Sequence, residues 1–341
     1  MSELPALAPW QQRAYDQAVE ALTSGHFGHA TLITGPALIG KRLLAEHLAR
    51  RVLCLAPRAD GEACGACKAC SLFAARAQME VAEVRPDGTP AHPWGHSTHP
   101  DLLFLGYEIN QKTGKPRTEI VIDQIRALTA SMGLTAQLGG AQVVIVDPAD
   151  AVNWSAWNAI LKTLEEPQPG RYLWLLASSP ARLPATIRSR CQRLELRLPP
   201  RAEALAWLRG RGHPAELAEE ALEAARGHPG LADAWASGDG LKLRREVLSD
   251  LDALQRRSAA PAAIAQKWVA DGRADERLRH LAEQALQRAG ARLDAPTVRA
   301  LAACFDAANR ARSLLQSTVR ADLAVLEALL PWLPAATGSA R

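Results

Sequence analysis

The residues best suited to chemistry in this chain are four cysteines, Cys54, Cys64, Cys67 and Cys70, spaced C-x9-C-x2-C-x2-C within 17 residues. Four thiolates suit tetrahedral zinc, which binds sulfur at ~2.3 Å. With all four positions filled by protein and none left for water, the expected ion is structural rather than catalytic. A redox pair needs one C-x2-C and leaves two neighbouring cysteines unexplained. A secreted disulfide framework would spread its cysteines through a shorter chain. Cys191 and Cys304 stand alone, and Cys304 reads as a small buried hydrophobe.

The stretch GPALIGKR, from Gly35 to Arg42, begins as a phosphate-binding loop. In G-x-x-x-x-G-K-[ST], backbone N–H groups cradle phosphates, the lysine reaches the terminal ones and the hydroxyl holds magnesium. Gly35, Gly40 and Lys41 are in register, but Arg42 stands in the hydroxyl's place. A further magnesium ligand is expected from an acid at the end of the next core strand. Asp147 fills that position, yet Pro148 follows where an ATPase carries a water-activating glutamate. Two parts of the hydrolytic machinery are therefore missing together. Nucleotide binding without turnover stays open, since the phosphate-contacting residues remain.

Three further signals are weaker. Arg190, in IRSRC (187–191), precedes a strand candidate and by composition reads as a surface arginine. His92, His96 and His99 have H-x3-H-x2-H spacing, but the surrounding Pro and Gly deny them a common helical face, so no metal is expected there. Trp154 and Trp157 read as packing residues of a helix.

The elements that must position these residues follow from periodicity. Residues 10–22 have helical spacing, with Trp10, Tyr15, Val19 and Leu22 available to one face. TLITG then reads as a strand, the glycine loop follows, and KRLLAEHLARRVLC reads as an amphipathic helix, which is the context the loop motif requires. DLLFL (101–105), QVVIVD (142–147), YLWLLAS up to about Ser178, and RLEL (193–196) read as further buried strands. Helical segments 121–132 and 154–165 separate them, which predicts a parallel sheet with crossover helices. Residues 79–100, rich in Pro, Gly and His, read as a surface loop. After LPPR the chain becomes almost wholly helical, with breaks at 227–230 and 237–240. Its last segment places Leu315, Val319, Leu323, Leu326 and Leu330 at spacings of three and four.

The 341 residues, 48% hydrophobic, suit a globular chain of two or three domains. Forty Lys and Arg against 36 Asp and Glu leave a net charge of +4, which permits an acidic partner without arguing for one. No run approaches the ~18 apolar residues of a membrane span, and MSELPALAPWQQR has no signal-peptide pattern. A cytoplasmic protein is expected, with no membrane association.

Together, the broken loop, the four-cysteine module after its helix, NAILKTLEEP (158–167) and IRSRC resemble the delta-prime family of bacterial DNA polymerase III clamp-loader subunits. The likeness spans the whole chain and is strongest over 30–200. It implies an α/β AAA+ core with a zinc module at 1–197, a small helical lid at 198–240 and an all-α collar domain at 241–341. It implies a subunit that is no enzyme on its own, inside a holoenzyme whose nucleotidyltransferase activity resides in other subunits. Its partners would be the motor subunits and a delta-like subunit of a hetero-pentamer that loads the sliding clamp on primed DNA. Arg190 would be an arginine finger offered in trans to a motor subunit's ATP. Cys54, Cys64, Cys67 and Cys70 would hold zinc, and Gly35, Gly40 and Lys41 would form a degenerate ATP loop. An ATP-hydrolysing gamma/tau-like motor should instead show Lys-Ser/Thr, Asp-Glu and a lid arginine, where this chain has Lys41-Arg42, Asp147-Pro148 and Gly230. A zinc-dependent nucleic-acid-binding regulator should show a basic reading helix beside the cysteines, where this chain has ACKACSLFAARAQ.

Overall fold

The computed structural model describes residues 4–77, 84–86, 89–110, 114, 116–166, 168–291, 294–315 and 319–333. The predicted loop 79–100 falls partly outside these residues, as do Pro167 of the LEEP stretch and 316–318 of the predicted last helix. Two compact units make up the chain: Met1–Gly212 with Ala225–Leu231, and His213–Ala224 with Ala232–Arg341.

The first unit is built on runs of Val, Ile and Leu. They form β1 (Ala30–Thr34), β4 (Leu102–Leu105), β5 (Gln142–Val146), β6 (Arg171–Ala177) and β7 (Gln192–Glu195). A short antiparallel ribbon, β2 (Arg76–Ala77) with β3 (His96–Ser97), stands apart. The main sheet has the order β4-β5-β6-β1-β7 with every pair parallel. Parallel strands need cover on both faces, and alternate residues along each strand supply the two cores. Leu32, Val144, Val146, Leu173 and Leu175 face α4 (Ile122–Met132), Trp157, Ile160 and Leu164. Ile33, Val143, Ile145, Trp174 and Leu176 face α1 (Pro9–Thr23), α2 (Lys41–Val52) and α3 (Lys68–Ala74). The strands and the helices α1, α2 and α4 are thus those the periodicity predicts, while α3 is a helix that the sequence reading did not name.

Two local expectations change. The predicted helix 154–165 begins later, as a 3-10 turn at Ala156–Ile160 leading into α5 (Leu161–Glu165). The Asn153 side chain accepts from the backbone and hydroxyl of Ser155, turning the chain before the helix and leaving Trp154 69% exposed. Trp157 packs inside as expected; Trp154 does not. The described part of 79–100 is not a plain surface loop either: it pairs in the ribbon, and His99 is buried.

The unit continues through α6 (Ala185–Arg188) and α7 (Arg201–Gly210). From α8 (Ala215–Ala224) and α9 (Pro229–Ser237), the described chain is helical. The second core lies among α10 (Gly240–Gln255), α11 (Pro261–Val269), α12 (Ala274–Gly290), α13 (Ala295–Leu314) and α14 (Ala321–Leu329), around Trp268 and Trp332. Asp294 caps α13 by accepting from Thr297 N–H, at 3.1 Å. On α14 the inward residues are Ala324, Val325, Ala328 and Leu329, while Leu323 and Leu330 of the predicted stripe are exposed. Among the described residues no helix is long and apolar enough to cross a membrane.

Candidate functional site

Cys54 follows α2, and Cys67 caps α3, its sulfur accepting from Cys70 N–H at 3.5 Å. Four ligands ~2.3 Å from one ion in a tetrahedron stand about 3.8 Å apart. Cys54 Sγ lies 3.7 Å from Cys64 Sγ and 3.9 Å from Cys67 Sγ, and Cys64 Sγ lies 4.0 Å from Cys70 Sγ. All four sulfurs fall within 4.8 Å of one another. Backbone N–H groups of Cys64 and Cys67 also point at sulfurs, at 3.3 Å, which favours thiolates. The residues therefore fit a metal such as zinc, and this is the metal-competent cluster among the described residues. Glu62, inside the module, accepts from Tyr15 of α1 at 2.8 Å and from Arg51 of α2, tying the module to both helices. Cys191 and Cys304 are buried, and burial pushes their thiols up to about 11 and about 12.

The glycine loop joins the C-terminal end of β1 to α2. Ser178 follows the adjacent β6 and Asp147 follows β5 one strand further on, so the C-terminal ends of three consecutive parallel strands bring these residues to one corner. Helix α1 grips the loop: the Trp10 indole and Gln11 amide both donate to Ile39 O at 3.0 Å. Gly40 has φ 96, and a Cβ there would stand 1.7 Å from Gln11 Nε2. Lys41 turns back on its own loop, donating to Gly35 O and Pro36 O at 2.8 Å and to Ser178 Oγ at 2.9 Å. Burial lowers its ammonium to about 8. Gly230 approaches from Ala225–Leu231, so close that a Cβ would lie 1.9 Å from Leu38 O.

Arg42 does more than remove a hydroxyl. Its guanidinium reaches Asp147 Oδ2 at 3.3 Å, Glu46 Oε1 at 2.8 Å and His92 Nδ1 at 2.7 Å, and lies 3.8 Å from the Phe104 ring centroid. Arg85 reaches the same Asp147 oxygen at 2.6 Å, and Arg76 reaches Glu46 Oε2 at 2.7 Å. Guanidinium groups thus occupy the carboxylate that would face magnesium in an ATPase. Burial, with the Arg42 charge beside it, lowers His92 to about 3, so its ring accepts as the neutral form. His92 and His96 stack at 3.4 Å between centroids but join no metal cluster with His99. Sequence reasoning missed Arg76, Arg85 and His92 as partners of this corner; Arg85 and His92 lie in a Pro/Gly-rich segment, and Arg76 follows the cysteine module with no distinguishing signal.

Arg190 sits between α6 and β7, next to buried Cys191. Its Nε donates to Glu165 Oε1 at 2.9 Å, Nη2 lies 2.8 Å from the same oxygen, and Nη1 donates to Thr186 O at 2.9 Å. The side chain is 37% exposed. The LEEP and SRC segments, distant in sequence, meet here through one ion pair.

Residues 10–200 match the family model described as DNA polymerase III, delta subunit. A DNA polymerase III subunit delta' from Pseudomonas aeruginosa is 38% identical over 76% of this chain and 70% of its own length. The chain belongs to the DNA polymerase III delta-prime family. The delta' subunit of Escherichia coli is 32% identical over 71% of the chain and 65% of its own length. A tau subunit of Bacillus subtilis is 29% identical over 52% of the chain and 26% of its own length. The matched residues span the parallel sheet, the glycine loop and the cysteine cluster of this chain, ahead of its helical C-terminal region.

Proposed function

We propose that this delta-prime-type chain is a catalytically silent member of the clamp-loader ring that lends Arg190 to a motor subunit's ATP. The observation that carries the first half is the pairing of Arg42 with Asp147. A site that hydrolyses ATP needs that carboxylate for magnesium, and here it neutralises guanidinium groups instead. Lys41, bonded to its own loop, supports the same reading, as does Gly230, where the close approach to Leu38 leaves no room for an arginine side chain. These features weigh against a gamma/tau-like motor. The exposed Arg190 supports the second half: a guanidinium beside a transferring phosphoryl group stabilises its developing charge and is worth ~10³–10⁵ in rate.

In this reading Cys54, Cys64, Cys67 and Cys70 hold a structural zinc, and Gly35, Gly40 and Lys41 are the remnant of an ATP loop that turns nothing over. Residues 1–197 act as the AAA+ core, 198–240 as a lid and 241–341 as the collar piece. Exposed Leu323 and Leu330 on α14 suit contact with neighbouring subunits. The partners are motor and delta-like subunits in a hetero-pentamer, with the sliding clamp and primed DNA met through that complex in the cytoplasm. The test is ATP turnover by the reconstituted loader carrying Arg190→Ala in this chain. Turnover and clamp loading should collapse while assembly persists; unchanged turnover would sink the finger role.

A further inference from the structure

We infer that Glu165 is a positioning residue for Arg190, holding one side of the guanidinium so that the rest of it is presented outward to the neighbour's phosphates. This rests on the reading of Arg190 as a finger and adds the element that aims it.

A guanidinium has five N–H donors in a rigid fork. Glu165 Oε1 takes Nε–H and one N–H of Nη2, at 2.9 and 2.8 Å, so a single oxygen clasps the edge nearest the side-chain stem. Thr186 O takes one N–H of Nη1 at 2.9 Å. One N–H on each terminal nitrogen remains outside these three contacts, and two such donors suit a planar, bidentate grip on phosphate oxygens. The anchors are themselves fixed. Glu165 closes α5, whose Leu164 is in the sheet's core, and Thr186 lies in α6, whose Ile187 is fully buried. Glu165 gains nothing for its own helix, since an acid at a helix C-terminus faces the negative end of the dipole. As an exposed ion pair it also adds little stability. What it does is restrict a long side chain that would otherwise sample many rotamers.

A finger held in advance loses less freedom when it meets the transition state, so the benefit appears in turnover and not in ATP affinity, which the motor's own loop sets. The experiment uses the complete loader, reconstituted with this chain as wild type, Glu165→Ala, Glu165→Gln, Arg190→Ala and Glu165→Ala/Arg190→Ala. Kcat and KM for ATP are measured together with assembly and Tm. Glu165 is 51% exposed, so its substitutions do not disturb the core. Glu165→Ala should lower kcat by about 10-fold with KM, assembly and Tm unchanged. Glu165→Gln should recover most of the loss, because the amide oxygen accepts the same bonds. The double variant should match Arg190→Ala, since the carboxylate acts only through the arginine. Wild-type turnover by Glu165→Ala, beside a crippled Arg190→Ala, would overturn the positioning role and leave the finger standing. Losses that multiply in the double variant would also overturn it. Unchanged turnover by Arg190→Ala would remove the finger reading itself.

Discussion

The glycine loop and Arg190 lie at opposite edges of one sheet and treat positive charge in opposite ways. At the C-terminal edge, Lys41 and Arg42 are turned inward, onto the loop's own carbonyls and onto Asp147 and Glu46. Ahead of β7, Arg190 is partly exposed and is held by Glu165 and Thr186 through three of its five N–H groups. Inward cations are spent on holding the fold, and what they satisfy is no longer available to a ligand. An outward cation with donors to spare contributes little to the fold and retains its capacity for a partner. In the function proposed above, the chain has no reaction site of its own and offers Arg190 to that of a neighbour.

The sharpest way to break this contrast is to remove one cation from each edge in the same reconstituted loader. Arg190→Ala should lower ATP turnover by about 10³-fold, whereas Lys41→Ala should leave it at the wild-type rate. Equal losses from both would mean that the loop works in the loader's cycle after all. The isolated chain, given Mg·ATP and primed DNA, should hydrolyse nothing above background.

Next in size is the cysteine module, which Glu62 ties to α1 and α2, the two helices that frame the glycine loop. Cys67→Ser should bring bound zinc well below one per chain and destabilise the first unit by several kcal/mol, since binding energy of such sites is folding energy. Metal analysis and urea unfolding read this directly. A variant with full zinc and wild-type stability would refute the four-sulfur site.

Sequence spacing was a good guide wherever one local period decides the structure. The five strands, the cysteine cluster and the loop's place between strand and helix were all legible, because each is a contiguous pattern. The Arg42–Asp147 pair was not: its partners are 105 positions apart and meet only through sheet order. Arg85 and His92 reach the same corner from a stretch whose composition signalled only turns. On α14 the spacing of three and four found an apolar stripe, yet two such stripes exist, and packing buries Ala324, Val325, Ala328 and Leu329 instead. Trp154 is exposed because Asn153 turns the chain before the helix begins.

A smaller effect tests how the inward corner is held. Arg42→Ala leaves Asp147 with Arg85 and Glu46 with Arg76, so neither acid is orphaned. The cost should be about 2–3 kcal/mol in urea unfolding, below the 3–5 of a fully unpaired buried charge. ATP turnover by the isolated chain should stay at zero. A neutral result would mean that Arg42 fills space without holding the corner together.

The smallest effect is a pH dependence with a defined sign. His92 accepts from Arg42 only while neutral, and burial with the Arg42 charge lowers it to about 3. In the unfolded chain it titrates near 6.5. Between those values the unfolded state binds a proton that the folded state refuses, so its contribution is intact above pH 6.5 and is lost as pH falls towards 3. His280, buried in the second unit and also lowered to about 3, acts in the same direction, so acid sensitivity alone does not single out His92. The difference between two proteins does. His92→Gln keeps an acceptor near Arg42 but carries no proton, so it should unfold at lower temperature than wild type at pH 7.5. The gap should narrow by about 1 kcal/mol at pH 5, a figure reduced for partial exposure of the ring. Tm profiles that run parallel from pH 7.5 to 5 would mean that His92 is free to charge in the folded protein and that the Arg42 contact does not hold it neutral.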